Sequence, residues 1–266
     1  MNNVLYGMPT LIEFDNLEQD ALLCRNLGLK FIEINMNLPE FQIENINLNK
    51  LSKMQKEYDI FFTFHLPEDM DIASFNNKIK KAYLDIVKET IYTAEALESP
   101  ILNMHMNPGI HFKMPDSKVY LNEKCSTEYY RSLEEFIKLA EDNIRGDKLK
   151  ISIENTGIYN FGYITDAVLF LLKSNKFSLT YDIGHDHASG NLDRDFIYNN
   201  IERLRHIHIH DGVGKSNHLP LFTGEIDINE KLDLAEKTGS TCVIETKRSK
   251  DLIYSAEELR NDKRSK

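Results

Sequence analysis

Short apolar segments alternate along the chain with longer stretches in which apolar residues recur every three or four positions. The combined repeat is about thirty residues, the length of one βα unit. Helices are predicted, among other places, at Leu17–Leu27, Asn77–Leu97, Thr127–Ile144 and Asn229–Lys237. Strands are predicted at Val4–Met8, Phe31–Asn35, Phe61–His65, Ile101–His105, Lys150–Glu154, Ser178–Asp182, Leu204–His210 and Thr241–Glu245. Eight strands that alternate with helices predict an α/β fold with a parallel sheet, closed as a (β/α)8 TIM barrel.

The length agrees with a single domain that spans residues 1–266. A chain of 266 residues is ordinary for one α/β barrel. No linker, low-complexity tract or basic tail divides it. The closely spaced basic residues after Lys247 are predicted to lie in a solvated last helix and terminus.

Composition and charge narrow the classes of function. The formal net charge of −10 disfavours nucleic acid as a partner, because it repels a polyanion unless basic residues cluster on one face. The three cysteines are far apart and form no CxxC pair, so neither a disulfide framework nor a thiolate zinc site is indicated. No signal peptide is visible, and the longest apolar run, around Ala167–Leu172, is too short to cross a bilayer. We therefore expect a cytoplasmic protein, and a homo-oligomer is compatible with these features.

Side chains able to bind a metal ion follow or end six of the predicted strands. The active site of a barrel is assembled where its strands end, whereas packing alone would scatter polar residues along the strands. This placement therefore indicates an active site. A mixed set of imidazoles and carboxylates suits Zn²⁺ or Mn²⁺ better than Ca²⁺, which prefers oxygen ligands alone. The residues at these ends are His65, His105, Glu154, Asp182, His208, His210 and Glu245.

Three histidines alternate with isoleucine in the seventh predicted strand. A strand sends alternate side chains to opposite faces, so the isoleucines suit helix packing and the histidines face the barrel interior. His206 lies deepest and is expected to be a hydrogen-bonded core residue rather than a ligand. His208 and His210 lie closer to the strand end and are candidates for the site.

Other schemes lack their motifs. The chain contains no GxGxxG after a strand, no GxxxxGK[ST] and no GxSxG. Cys242 lies within the last strand and is interpreted as buried packing rather than a nucleophile. The long segment Gly109–Lys124 is interpreted as a surface loop, with a lid over the site as the alternative.

The ordered motifs resemble the xylose isomerase-like barrel superfamily, which contains sugar isomerases and epimerases and the endonuclease IV repair enzymes. The resemblance covers nearly the whole chain. The motifs that carry it are His65, His105, IENTG with Glu154, DIGH with Asp182 and His185, HIHD with His208 and Asp211, His218 before LPLFTGEID, and VIET with Glu245. The resemblance implies a divalent-metal site formed by Glu154, Asp182, His208 and Glu245.

The number of metal ions implied by the resemblance ranges from one to three. His65, His105, His185 and His218 match additional ligands of the trinuclear endonuclease. An aspartate of that enzyme, two residues before its last histidine, is Ser216 in this chain. This departure leaves the trinuclear site open, and His185 is alternatively a residue that holds a substrate hydroxyl, as its equivalent does in the epimerases.

Two functions follow from these residues, and the first is favoured. It is a metal-dependent isomerase or epimerase of a sugar, sugar phosphate or related polyol, with Glu154 and Glu245 as the acid/base pair around a metal-stabilised enediolate. The second is an endonuclease IV-like enzyme that hydrolyses apurinic/apyrimidinic DNA with a zinc cluster. The acidic segment after His65 argues against DNA, and a barrel that has kept a metal but lost turnover is a third, weaker alternative.

Candidate substrate-binding residues complete the hypothesis. His185 and His210 lie beside the metal residues in the sequence motifs. Lys215 and Lys247 either contact a phosphate or carboxylate of the substrate or are simply solvated. The substrate itself is not specified by these motifs.

Overall fold

The computed structural model describes residues 4–261. Its strands are β1 (Tyr6–Pro9), β2 (Phe31–Asn35), β3 (Phe61–His65), β4 (Ile101–His105), β5 (His111–Lys113), β6 (Lys118–Tyr120), β7 (Lys150–Glu154), β8 (Phe177–Asp182), β9 (Leu204–Ile209), β10 (Asp211–Val213), β11 (Ser216–Leu219) and β12 (Thr241–Ile244). Its helices are α1 (Leu17–Asn26), α2 (Leu48–Tyr58), α3 (Asn77–Ala96), α4 (Leu121–Lys124), α5 (Ser126–Asn143), α6 (Gly162–Leu171), α7 (Ile183–Ala188), α8 (Arg194–Asn199), α9 (Ile228–Thr238) and α10 (Ser249–Asn261).

Eight of these strands close into a parallel barrel. Their order around the ring is β1, β12, β9, β8, β7, β4, β3 and β2. Each barrel strand pairs with the barrel strands that precede and follow it in the chain, and β12 closes the ring by pairing with β1. The (β/α)8 TIM barrel predicted from the hydrophobic pattern is confirmed. All eight carboxyl ends therefore open on the same face.

The predicted strand boundaries agree with the observed ones to within two residues. Four strands, β2, β3, β4 and β7, have the predicted limits. The first strand begins at Tyr6 instead of Val4, and β9 and β12 each end one residue early, at Ile209 and Ile244. Strand ends are the weakest part of such a prediction, because pairing fades where the chain turns into a loop.

The register of the strands brings their ends to one level. Asp182 of β8 pairs with His208 of β9, and His208 pairs with Val243 of β12. The isoleucines of β9, Ile207 and Ile209, are fully buried on the side where α9 packs. His206 and His208 consequently face the barrel interior, as the alternation in the sequence predicts.

The segment Gly109–Lys124 is an antiparallel hairpin followed by a short helix. His111 pairs with Tyr120 across β5 and β6, and the ring of Tyr120 packs against Phe161 at 5.0 Å. The hydroxyl of Tyr163 donates to the carbonyl of Pro108 at 2.9 Å, which anchors the base of the hairpin. All three residues of β5 are exposed, so the hairpin lies at the surface, but the segment has secondary structure of its own instead of forming the expected loop. A role as a lid stays a prediction.

Two cysteines belong to the core. Cys24 and Cys242 are fully buried, and burial raises the pKa of each thiol to about 12. Neither thiol is ionised near neutral pH, which agrees with the interpretation of Cys242 as packing. Among residues 4–261, no helix combines the length and the apolar character needed to cross a membrane.

Candidate metal centre

His208 is surrounded by three carboxylates at the mouth of the barrel. Its Nδ1 lies 3.0 Å from Oε2 of Glu245, 3.5 Å from Oε1 of Glu154 and 3.7 Å from Oδ2 of Asp182. Glu154 ends β7, Asp182 ends β8 and Glu245 directly follows β12, so three different strands deliver the acids. The four residues predicted to form the core of the site are therefore brought together.

The arrangement fits a divalent cation. Ligands bound at about 2.1 Å in a tetrahedral geometry lie about 3.4 Å from each other, close to the separations around His208. Nδ1 of His208 and Oε2 of Glu245 are buried, and neither has a hydrogen-bond partner in the described part of the chain. Buried polar atoms without partners are costly, so atoms that converge in this way point to a missing common partner.

Electrostatics support the same conclusion. Burial acts to lower the pKa of His208, but Glu154, Glu33 and Glu245 outweigh burial and raise it well above the ordinary value. Burial acts to raise the pKa of Glu245, but the positive charge on His208 brings it well below the ordinary value. Glu154 and Glu245 are therefore buried and ionised beside His208, and a divalent cation would offset their negative charge.

A pair of histidines lies at the other oxygen of Glu154. Nε2 of His65 and Nε2 of His105 are each 3.3 Å from Oε2 of Glu154, and the two rings meet edge to face at 4.9 Å. The amide of Asn103 also donates to this oxygen. Burial acts to lower the pKa of His65, but Glu154 raises it to about 9. His65, His105 and Glu154 thus form a second group able to hold a metal ion, which shares Glu154 with the first.

His185 belongs to the first group. Its Nδ1 lies 3.4 Å from Oε1 of Glu154 and 3.5 Å from Oδ2 of Asp182, and it has no hydrogen-bond partner among the described residues. The backbone N–H of His185 donates to Oδ1 of Asp182 at 2.6 Å, since Asp182 caps the N-terminus of α7. The DIGH spacing therefore places both side chains at one point, as the sequence indicates.

His210 lies behind Asp182. Its Nε2 is 3.1 Å from both carboxylate oxygens of Asp182, and its Nδ1 accepts the backbone N–H of His218 at 2.8 Å. Both ring nitrogens are therefore used within the protein, and the substrate-binding role predicted for His210 stays a prediction. The rings of His210 and His218 stack at 4.2 Å, and Nδ1 of His218 is 3.1 Å from the carbonyl oxygen of Glu245. These two histidines also lie close to Glu245, but the partners of His210 leave it no nitrogen for a metal ion in this arrangement.

The two candidate lysines differ in position. Nζ of Lys247 donates to Oε1 of Glu245 at 2.7 Å, which leaves Oε2 of the same carboxylate directed at His208. Lys215 is exposed at the turn between β10 and β11. Ser216, the departure from the endonuclease motif, is exposed beside it. Lys247 is the lysine in contact with the centre.

Three polar residues around the centre were missed in the sequence. Glu33 of β2 lies 2.8 Å from Nε2 of His208, Asn103 of β4 contacts Glu154, and Asn155 supports Asp182. A glutamate between Ile32 and Ile34, and an asparagine between Leu102 and Met104, are polar interruptions of apolar strands. Such interruptions are a usable signal, because a buried polar side chain must have a partner.

Asn155 ties the loop after β7 to the next strand. Its side chain accepts the backbone N–H of Asp182 at 2.7 Å and donates to the carbonyl of Asp182 at 3.0 Å. Asp193 then holds the loop, since its carboxylate accepts from Asn155 and from the backbone N–H groups of Gly157 and Tyr159. These bonds fix the positions of Glu154 and Asp182 relative to each other.

Comparison with known families and structures identifies the barrel to which the chain is similar. The family model described as xylose isomerase-like TIM barrel matches residues 21–263. An uncharacterized protein of Methanocaldococcus jannaschii is 27% identical over 230 residues, which cover 80% of this chain and 74% of that protein.

Solved structures share the fold across almost the whole chain. The crystal structure of a D-tagatose 3-epimerase-like protein superposes with a TM-score of 0.75 at 24% identity, covering 97% of this chain and 96% of that one. The IolI protein, solved with a binding zinc atom, superposes with a TM-score of 0.71 at 19% identity, covering 98% and 96%. At these identities the likeness establishes the architecture of the barrel.

Proposed function

The chain belongs to the xylose isomerase-like TIM barrel family, and we propose that it is a divalent-metal-dependent isomerase or epimerase of a sugar, sugar phosphate or related polyol. The observation that carries the proposal is the convergence of Glu154 and Glu245 on Nδ1 of His208, at 3.5 and 3.0 Å. The two glutamates come from β7 and β12, with β8 and β9 between them. Two carboxylates that approach one point from separate strands suit proton transfer on two sides of a substrate.

Glu154, Asp182, His208 and Glu245 would hold the ion, and His185 is close enough to contribute. A divalent ion there would supply Lewis acidity, polarising a substrate carbonyl and its neighbouring hydroxyl. The similarity to a D-tagatose 3-epimerase-like protein and to a zinc-containing IolI structure supports both the substrate class and the use of a metal.

The proton transfer is assigned to Glu154 and Glu245. One of the two carboxylates removes a proton from the carbon next to the carbonyl, and the other returns a proton to the neighbouring position or opposite face. Lys247 keeps Oε1 of Glu245 occupied, so Oε2 is the oxygen that faces the reacting atoms. In the same way, Asn103 and the histidine pair occupy Oε2 of Glu154, which leaves Oε1 toward His208.

The half-buried His185 completes the proposed substrate site. It lies beside Asp182 with its Nδ1 toward the centre, where it can position a substrate hydroxyl. Lys247 remains half exposed and contacts Glu245, so its ammonium group can meet an anionic substituent of the substrate. The narrow choice among substrates depends on the loops around this mouth.

The test is turnover by the metal-loaded protein. Purified protein loaded with Mn²⁺ or Zn²⁺ is incubated with a panel of ketoses, ketose phosphates and polyols in D₂O, and the products are followed by NMR. We expect solvent deuterium at the carbon that exchanges its proton, and loss of turnover in Glu154→Gln and Glu245→Gln. Glu225→Gln, which changes an exposed carboxylate beside His187, is the matched control. Wild-type rates in Glu245→Gln would contradict the mechanism.

The second candidate function is endonuclease IV-like cleavage of abasic DNA. The observation that favours it is the pair His65 and His105, both 3.3 Å from Oε2 of Glu154, which offers a place for a further metal ion. The residues Glu68 and Asp69 after β3 put negative charge near the mouth and disfavour a polyanion. Cleavage of an abasic duplex by the zinc-loaded protein, lost in His105→Ala, would establish this function instead of the first.

A further inference from the structure

Glu33 is a carboxylate enclosed in the barrel interior. It is 3% exposed and lies on β2, which stands opposite β8 in the ring of strands. Its Oε2 accepts the hydroxyl of Thr63 at 3.1 Å and lies 3.1 Å from Nε2 of His206. Its Oε1 lies 2.8 Å from Nε2 of His208. A buried carboxylate with two imidazoles, one on each oxygen, is held in place from both sides.

The contact with His206 fixes the position of the Glu33 carboxylate. Nδ1 of His206 lies 2.6 Å from the hydroxyl of Thr241, so both nitrogens of this fully buried ring have partners. The ring also packs beside Phe31, with centroids 6.0 Å apart. The orientation of Glu33 is therefore set by Thr63 and His206, which are not among the proposed ligands, although the ring of His206 meets the ring of His208 edge to face at 5.2 Å.

The other oxygen of Glu33 contacts His208 on the side of the ring opposite the centre. Nδ1 of His208 faces Glu154, Asp182 and Glu245, whereas Nε2 faces Glu33. Neither nitrogen has an aligned hydrogen bond among the described residues, although each is within 3.0 Å of a carboxylate oxygen. The 2.8 Å between Nε2 and Oε1 of Glu33 is the separation of a direct N–H···O hydrogen bond.

We propose that Glu33 is the positioning residue of the metal centre: it accepts the Nε2–H of His208 and so commits Nδ1 of that ring to the metal. In metal sites a carboxylate on the second nitrogen of a ligating histidine fixes the tautomer and orientation of the ring and strengthens it as a ligand. The proposal rests on the metal centre described under the proposed function, but it is independent of the identity of the substrate.

A separate metal ion held by Glu33, His206 and His208 is a weaker explanation of the same contacts. These three residues are close enough to be ligands. However, Nδ1 of His206 is taken by Thr241 and Oε2 of Glu33 is taken by Thr63, so direct hydrogen bonds already account for this end of the group. The contacts of 2.8 and 3.1 Å are also direct N–H···O distances.

The first experiment measures metal affinity. The dissociation constant for Zn²⁺ is determined by competition with a chromophoric chelator for wild type, Glu33→Gln, Thr63→Val and Asp20→Asn. We expect Glu33→Gln to weaken binding by about 10- to 100-fold, since the amide accepts a weaker hydrogen bond and carries no charge. Thr63→Val keeps the charge and loses one hydrogen bond, so its loss is expected to be smaller. Asp20→Asn replaces another buried carboxyl group, on α1, and is expected to bind as wild type.

The second experiment needs no substitution at Glu33. In zinc-loaded protein with ¹⁵N-labelled histidine, the ring signals of His208, assigned with His208→Gln, are expected to show a metal-bound Nδ1 and a protonated Nε2. Metal bound at Nε2 would overturn the proposal even if Glu33→Gln failed to fold. Unchanged Zn²⁺ affinity in a folded Glu33→Gln would overturn it as well. Wild-type protein that binds no divalent metal would instead refute the metal centre of the proposed function, so the two failures are distinguishable.

Discussion

The imidazole of His210 lies directly against Gly184. A Cβ atom placed at Gly184 would be 1.9 Å from Cε1 of His210, and no real side chain tolerates such a contact. His210 in turn contacts both oxygens of Asp182. The glycine of the DIGH motif is therefore required so that a histidine can support the aspartate of the candidate metal centre.

Gly184→Ala is expected to displace His210 and to weaken both folding and metal binding. The contact involves a buried ring, so we expect a loss of about 2 to 4 kcal/mol in the free energy of unfolding and a lower affinity for Zn²⁺. Urea unfolding and chelator competition measure the two effects. Gly162→Ala is the control, since a Cβ there meets nothing within 4 Å, and it is expected to be neutral. Wild-type behaviour of Gly184→Ala would contradict the packing.

Removal of metal is expected to lower thermal stability. Glu154, Asp182 and Glu245 crowd one imidazole, and a bound cation would relieve the repulsion among them. A ligand at 100 times its dissociation constant stabilises the folded state by about 2.7 kcal/mol. Melting curves with and without EDTA should therefore differ for wild type, and the difference should shrink in Asp182→Asn. Equal shifts in both proteins would place the metal elsewhere.

Lys247 is expected to act on catalysis and not on folding. Its Nζ holds Oε1 of Glu245 at 2.7 Å while the side chain stays half exposed. Lys247→Met removes this contact, so we expect kcat/KM to fall by about tenfold or more, with an unchanged melting temperature. Lys215→Met, at the exposed hairpin turn, is the matched control and is expected to have little effect. Equal losses in the two variants would assign both lysines to general surface charge.

Asp20 is expected to make stability depend on pH. Burial raises its pKa to about 7, although the hydrogen bond from the N–H of Leu11 acts to lower it. The unfolded chain releases this proton near pH 4, so between about pH 4 and 7 the folded protein binds more protons. The contribution of Asp20 to the free energy of unfolding therefore falls as pH rises through this window and stays low above it.

The comparison with Asp20→Asn isolates this contribution. Asparagine keeps an acceptor for Leu11 and does not titrate, so all other groups cancel in the difference between the two proteins. We expect the stability of the variant relative to wild type to increase by up to about 4 kcal/mol from pH 4 to pH 8. Urea unfolding at several pH values measures the difference, and a constant difference would contradict the raised pKa.

Asp193 is expected to stabilise the loop that follows Glu154. Its carboxylate accepts from Asn155, Gly157 and Tyr159, at distances of 2.6 to 3.1 Å. Asp193→Ala removes the acceptor of the backbone N–H groups of Gly157 and Tyr159, which costs about 1 to 3 kcal/mol for a buried group, whereas Asn155 keeps its bond to the carbonyl of Asp182. We expect reduced stability in urea and faster amide exchange at Gly157 and Tyr159. Asp195→Ala, two residues further along the chain, serves as the control.

Much of the centre could be predicted because barrel chemistry is collected at strand ends. Once eight strands are recognised, His65, His105, Glu154, Asp182 and Glu245 must all open on one face. The alternation of histidine and isoleucine in β9 likewise suffices to place His206 and His208 inside the barrel. His206 is indeed a buried core residue with hydrogen bonds on both nitrogens.

Glu33 shows why the remainder could not be predicted. It lies 173 residues before His206 in the chain, and only the closure of the barrel brings the two side chains within 3.1 Å. The same holds for His210, whose two nitrogens prove to face Asp182 and the backbone of His218. A residue type and its position on a strand do not specify the direction of each ring nitrogen.

The sequence by itself determined the architecture and the face of the barrel on which the chemistry lies, because periodicity and strand ends are local properties of the chain. Only the tertiary structure decided which atoms meet: Nδ1 of His208 toward three carboxylates, Nε2 toward Glu33, and Glu154 shared between His208 and the pair of His65 and His105. Those contacts depend on strand register and on the rotamers that packing allows, and both are set by residues distant in sequence.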